Sequence, residues 1–179
     1  MSDEVIRWLQ TMPIRRPEAV IVDVDGTLCN VTSVRHHVLN RPKDFDAFHR
    51  EAETCPPHQQ AIDFCWKHFQ AGRDILFVTG RMEMWRASTQ TYIFRTLPGM
   101  RVWGPWMRPQ GDYRPDVEIK TDIFNQIAEY WDVVAAIDDN PNIIALWKGL
   151  GIPTEVVPGW DHEAAASYVD SLKNHGAQP

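Results

Sequence analysis

The sequence predicts an α/β fold: a doubly wound, Rossmann-like parallel sheet of about five strands with helices on both faces and a small cap insertion after the first strand. Three observations predict it. Short apolar, β-branched runs (Val20–Val24, Asp74–Val78, Val133–Ile137) alternate with longer stretches of helical period. That alternation makes the strands parallel, because each helix carries the chain back across the sheet before the next strand begins. Each of the three runs also leads into a polar cluster, Asp23/Asp25, Thr79/Arg81 and Asp138/Asp139 in turn. The carboxyl edge of such a sheet is where ligands bind.

Ser2 to Met12 has a serine cap, acids in its first turn and Val5, Ile6 and Leu9 on one side, which predicts a short helix stopped by Pro13. Val20–Val24 is the first strand, and Gly26 lets the chain leave the sheet in a conformation that a side chain forbids. Cys29 to Thr54 shows no period and reads as an irregular insertion lying over the carboxylates. Pro56-Pro57 opens a helix running to Phe69, with Gly72 beyond its end. The second strand, Asp74–Val78, ends at Thr79-Gly80-Arg81, and Met82 to Leu97 is a helix stopped by Pro98-Gly99. Arg101-Val102-Trp103 is a weak third strand. Asp116 to Trp131 is a helix with Val117, Ile119, Ile123, Phe124, Ile127 and Tyr130 at helical spacing. Val133–Ile137 is the fourth strand, Asn142–Leu150 a helix ended by Gly151, Thr154–Val157 a short fifth strand and Ser167–Lys173 a closing helix.

At 179 residues the chain suits a single domain, 1–179, with 29–54 as its cap. No apolar run reaches membrane-spanning length, and the N-terminus lacks the apolar stretch of a signal peptide. The three cysteines, Cys29, Cys55 and Cys65, show no C-x-x-C spacing, so reduced thiols in the cytoplasm are expected rather than a zinc site. A net charge of −6 argues against blanket affinity for nucleic acid. The basic residues are nevertheless segregated. Arg35, Arg41 and Lys43 stand without an acid between Val31 and Lys43, and Arg95, Arg101, Arg108 and Arg114 face only Asp112 between Arg95 and Pro115.

Along an extended backbone Asp23 and Asp25 fall on one side, and like charges so close need a cation or a proton between them. A divalent ion with oxygen ligands answers that need, and Mg2+ is the usual ion where phosphate is present. One carboxylate in such a site can attack phosphorus, forming an acyl phosphate that water hydrolyses. A second can protonate the leaving oxygen and then activate that water. Donors at Thr79-Gly80, with Lys120 near the start of its helix, can hold the non-bridging oxygens, and an acidic pair completes the metal shell. Plainer readings compete: D-x-D-G-T as a turn, and Asp138-Asp139-Asn140-Pro141 as a helix cap, which is compatible with metal binding. Trp103 and Trp106 could stack bases but fit a core equally, and His36-His37 reads as an exposed pair rather than a metal site.

In order, DVDGT, VTGR, Lys120 and IDDN resemble the four motifs of the haloacid dehalogenase superfamily of phosphatases. The resemblance implies Asp23 as nucleophile, Asp25 as general acid–base, Thr79 as phosphate ligand, Lys120 as charge neutraliser, and Asp138 and Asp139 as the metal-binding pair beside Asp23 and Asp25. The segment Arg108 to Lys120, with Val78–Arg81 and Ala136–Asp139, is similar to the 3′-phosphatase domain of phage polynucleotide kinase–phosphatase. That likeness runs from Ala19 to Pro158 and adds Arg81 and Asp116 to the essential set. Asp116 lies one helical turn before Lys120, where it could position the ammonium. Gly80, Arg35, Arg108 and Arg114 are the implied substrate contacts, Arg35 as an approximate counterpart of a family arginine. The implied substrates are 3′-phosphate ends of DNA or RNA, in the host cytoplasm for a phage-encoded chain. No G-x-x-x-x-G-K-[ST] occurs, so no kinase domain is expected. Two other readings stand beside this one: a nucleotidase or small-metabolite phosphatase of the same fold, and a non-catalytic module that binds nucleic-acid ends.

Overall fold

In the computed structural model, which describes residues 16–39 and 41–159, the strands are β1 (Glu18–Val22), β2 (Asp74–Met82), β3 (Val102–Arg108), β4 (Asp132–Asp138) and β5 (Thr154–Val156). The helices are α1 (His36–Leu39), α2 (Phe45–Ala52), α3 (Gln59–Gln70), α4 (Arg86–Thr96), α5 (Asp116–Ile127) and α6 (Pro141–Gly149). The helices expected at Ser2–Met12 and Ser167–Lys173 lie outside the described residues. All strand pairs are parallel, in the order β3-β2-β1-β4-β5. No helix among the described residues is long and apolar enough to cross a membrane.

Alternation along the central strands builds two cores. Val20, Val22, Ile75 and Phe77 face one side, where α3 and α4 supply Phe64, Cys65, Tyr92 and Ile93 and the insertion adds Val38 and Phe48. Ala19, Ile21, Leu76 and Val78 face the other, against Ile119, Ile123 and Ile127 of α5 and Ile143 and Trp147 of α6. Helices therefore cover both faces, as the alternating sequence predicts. Burying a Val, Leu or Ile side chain contributes roughly 1.5–3 kcal/mol, so β1, sealed on both faces, is a stiff support for the acid that follows it.

The structure departs from the sequence reading in three places. β2 runs on to Met82, so Thr79, Gly80 and Arg81 belong to the strand itself. β3 reaches Arg108 although Gly104-Pro105 interrupts its pattern, which a strand at the sheet edge tolerates. The insertion is not irregular throughout: α2 is capped by Asp44, whose carboxylate accepts from the Ala47 N–H at 2.8 Å, and it buries Phe48 and Ala52 one turn apart. Two helical turns are too short for a period to stand out in sequence.

Candidate active site

β1 stops at Val22, and Asp23 follows, its N–H donating to the Ile137 carbonyl of β4 at 3.2 Å. The chain then folds back on itself. Cys29 N–H reaches the Val24 carbonyl at 2.8 Å, and Gly26 N–H the Cys29 carbonyl at 2.8 Å. The strand therefore gives way to a turn at once, and the two carboxylates meet different partners. Gly26 adopts φ +88°, and a Cβ there would lie 1.9 Å from Asp139 Oδ2. Only glycine lets Asp139 close over this turn.

Oxygens of Asp23, Asp138 and Asp139 lie within 4.8 Å of one another, and all three residues are buried. Lys120, buried on α5, donates from Nζ to Asp23 Oδ1 at 2.7 Å and to Asp138 Oδ2 at 2.9 Å. Asp138 also accepts from the Trp147 indole at 3.4 Å and from Asn140 N–H at 3.0 Å. Asp139 accepts from Thr27 Oγ1 at 3.2 Å and meets Arg35 of the insertion at 3.4 Å. Burial, then repulsion from Asp138, pushes the Asp139 carboxyl up to about 7. Burial raises Asp23 well above the ordinary carboxylate range, with Asp138 and Asp139 repelling and Lys120 only partly compensating. Burial alone would discharge Lys120, but Asp138 and Asp23 outweigh it and hold the ammonium charged.

Asp25 stands outside this cluster, contrary to the expectation that its carboxylate joins the metal shell. Arg81 grips it with two bonds, Nε to Oδ2 at 2.7 Å and Nη2 to Oδ1 at 2.6 Å, and its remaining nitrogen donates to Thr89 Oγ1 at 3.2 Å. Burial would raise the Asp25 carboxyl, but the Arg81 charge and hydrogen bonds overcome it and hold the group below its ordinary value. Thr79 is fully buried and accepts the Arg81 N–H at 3.2 Å. From the insertion, His49 places Nδ1 4.0 Å from Asp25 Oδ2. Burial, with Arg81 adding to it, pushes the His49 imidazole down to about 4.

The remaining implied residues form a brace beside the site. Arg108, buried, donates to the carbonyls of Gly80 (3.0 Å), Asp112 (3.0 Å) and Arg114 (2.6 Å) and pairs with Asp116. Asp116 therefore does not position Lys120: it sits over Gly80, where a Cβ would come within 2.8 Å of its Oδ1. Arg114 pairs with Asp112 and Asp122 at 2.8 and 2.9 Å, away from the acid cluster. Trp103 and Trp106 both pack edge-on against Trp131, and His36 is exposed. The sequence reading missed Thr27, Trp147, Thr89 and His49. Thr27 lies within the DVDGT stretch and could have been named from it; the other three are brought in by tertiary packing alone.

Residues 17–159 match the family described as the polynucleotide kinase PNKP phosphatase domain. A protein of Autographa californica nuclear polyhedrosis virus, named as a bifunctional polynucleotide kinase/RNA ligase, is 28% identical over 141 residues, which are 77% of this chain and 19% of the viral protein. The chain thus spans about a fifth of that relative's length. Among solved structures, one of a Pnkp1/Rnl/Hen1 complex aligns with a TM-score of 0.67 at 24% identity, covering 83% of this chain and 48% of that one. A class C acid phosphatase from Bacillus anthracis with tungstate bound aligns at 0.59 and 13% identity, covering 98% and 85%. Both structural likenesses are likenesses of fold.

Proposed function

Since the chain belongs to the polynucleotide kinase PNKP phosphatase domain family, we propose that it is a Mg2+-dependent phosphatase that works through an aspartyl phosphate and removes 3′-phosphates from nucleic-acid ends. The observation that carries the reading is the meeting of Asp23, Asp138 and Asp139 with Lys120 at one rim of the sheet. Carboxylate oxygens are the donors a hard dication takes, and the burial and mutual repulsion that lift Asp23 and Asp139 are offset by one. Asp23, Asp138 and Asp139 would hold the ion, which when bound supplies positive charge to the phosphate oxygens.

Asp23 attacks phosphorus, forming a P–O bond as the ester bond to the leaving alcohol breaks. Asp25 gives that alcohol its proton and then takes one from the water that hydrolyses the acyl phosphate, restoring Asp23. Lys120, held charged, balances the growing charge on the non-bridging oxygens together with donors at Thr79 and Gly80. Arg81 keeps Asp25 ionised in the free protein, so Asp25 takes up a proton from solvent as substrate binds, gives it to the alcohol, and regains one from the attacking water. Arg108 and Asp116 hold the Gly80 segment still, and residues 29–54 act as the cap of one catalytic domain. The family and the viral relative, named for polynucleotide and RNA chemistry, support nucleic-acid ends as substrate.

The test is phosphate release from matched 3′- and 5′-phosphorylated DNA and RNA strands, with Mg2+ or with chelator. Release from the 3′ ends should exceed that from the 5′ ends by about 100-fold or more, a difference of about 2.7 kcal/mol in transition-state binding, and chelator should abolish it. Equal rates at both ends would remove the end-processing reading and leave a general phosphatase.

A further inference from the structure

We propose that helix α2 of the insertion carries a stacking subsite for the terminal nucleobase of the substrate, built from Phe45 and Trp85 around His49. The inference rests on the phosphatase reading and adds to it the contact that tells a nucleotide from a bare phosphate ester. In an in-line displacement the alcohol departs on the side of phosphorus opposite the attacking carboxylate, and the group that protonates it marks that side. Beside Asp25, on the insertion's side, stands His49, with Nδ1 at 4.0 Å. That nitrogen is buried and has no hydrogen-bond partner among the described residues. A polar atom so placed calls for one, and a sugar oxygen beside Asp25 is of the right chemistry.

The rings continue outward from there. Phe45 lies one turn before His49 on the same face of α2, its ring 6.4 Å from the imidazole and inclined by 27°. Trp85, from the turn after β2, stands 5.3 Å from the imidazole, and buried Phe48 backs it edge-on at 5.1 Å. Phe45 itself is 50% exposed. A lone exposed aromatic needs no explanation; one that leads a run of rings ending at a catalytic acid offers a flat, sequence-blind face to a base. The two tryptophans that the sequence offers for stacking are committed elsewhere, since Trp103 and Trp106 close on Trp131. Base stacking suits an enzyme that must accept any terminal nucleotide, because every base has a π-face whatever its edge.

Two substrates test it: a short 3′-phosphorylated oligonucleotide, and the same strand with an abasic terminal residue. The wild-type protein should favour the base-bearing end by about tenfold in kcat/KM, carried mainly by KM. Phe45→Ala should bring that ratio to about one, and Phe45→Trp should keep it. A ratio unchanged in Phe45→Ala, or a loss that falls equally on both substrates, overturns the proposal. Binding of the same two strands to the Asp23→Asn protein, followed by fluorescence anisotropy, reads the stacking without turnover. A tenfold base preference in binding that vanishes in the Asp23→Asn/Phe45→Ala protein supports the subsite even if phosphate release fails. Absence of that preference removes the subsite while leaving the 3′-phosphatase reading to its own test.

Discussion

Asp23, Asp138 and Asp139 crowd together at the ends of β1 and β4 with one ammonium among them, whereas Asp25, two residues along the same loop, is held by two nitrogens of Arg81. The two regions respond to burial in opposite ways. Both are desolvated, yet Asp23 and Asp139 have carboxyls raised above the ordinary range and Asp25 has one lowered below it. The cause is local counter-charge. Where the chain supplies a full bidentate partner, the carboxylate stays ionised and can trade protons with water or an alcohol. Where it supplies only Lys120 and a more distant Arg35, the deficit is a place for a dication.

The most severe way to break the comparison is to remove the nucleophile from the crowded side. Asp23→Asn keeps the shape of the side chain but cannot form the acyl phosphate, so turnover should fall by about 10³-fold or more. Steady-state phosphate release checks it, with circular dichroism showing that the variant is folded. Activity within about tenfold of the natural protein would take the nucleophile role away from Asp23.

Arg81 sharpens the other side. Its guanidinium is 1% exposed, so Arg81→Met leaves the half-buried Asp25 without its partner. Breaking a fully buried pair from one side typically costs about 3–5 kcal/mol; with Asp25 partly solvated the loss should fall at or below about 3 kcal/mol, and urea unfolding should find it. The double variant Arg81→Met/Asp25→Asn should recover most of it, because the unpaired charge is then gone. A purely additive pair of losses would show that the ion pair is not the organising contact of this region.

Much of this arrangement is legible in sequence, and its limits have physical causes. Periodicity located the central strands because they are sealed on both faces, as Val20, Ile21, Ile75 and Leu76 are. The motifs placed Asp23, Lys120, Asp138 and Asp139 at one rim because parallel strands bring their carboxyl ends together. The period-two rule did not carry the Asp25 carboxylate to the acid cluster because β1 ends at Val22 and Arg81 takes that carboxylate with two bonds. The helical i,i+4 argument failed for Asp116 and Lys120 because each finds a stronger partner off its own helix, Arg108 for one and Asp23 with Asp138 for the other. His49 was beyond reach altogether: its place beside Asp25 depends on how a two-turn helix docks.

The gentlest test separates the two regions by pH and metal. Asp139 rises from an ordinary 3.8 to about 7 in the folded protein, through burial first and Asp138 second, and Asp23 moves the same way. A group whose pKa is higher folded than unfolded contributes stability that is present below its unfolded value and lost as pH rises through its folded value. Without metal, Asp139, with Asp23 acting in the same direction, therefore weakens the fold as pH climbs from about 4 to about 7. Asp25 has the opposite sign, and so does His49, pushed down to about 4, since depressed groups cost stability only as pH falls. The difference between melting curves taken with and without Mg2+ at each pH isolates the crowded site, because groups that do not meet the ion cancel. At about 100 times its dissociation constant the ion adds about 2.7 kcal/mol, which for a chain of this size is about 5–10 °C in Tm. That gain should be full near pH 8 and largely gone near pH 5, where Asp139 holds a proton that competes with the ion. Asp139→Asn should flatten the profile. An equal gain at both pH values would mean that the ion is not bound by the carboxylates whose repulsion marks this site.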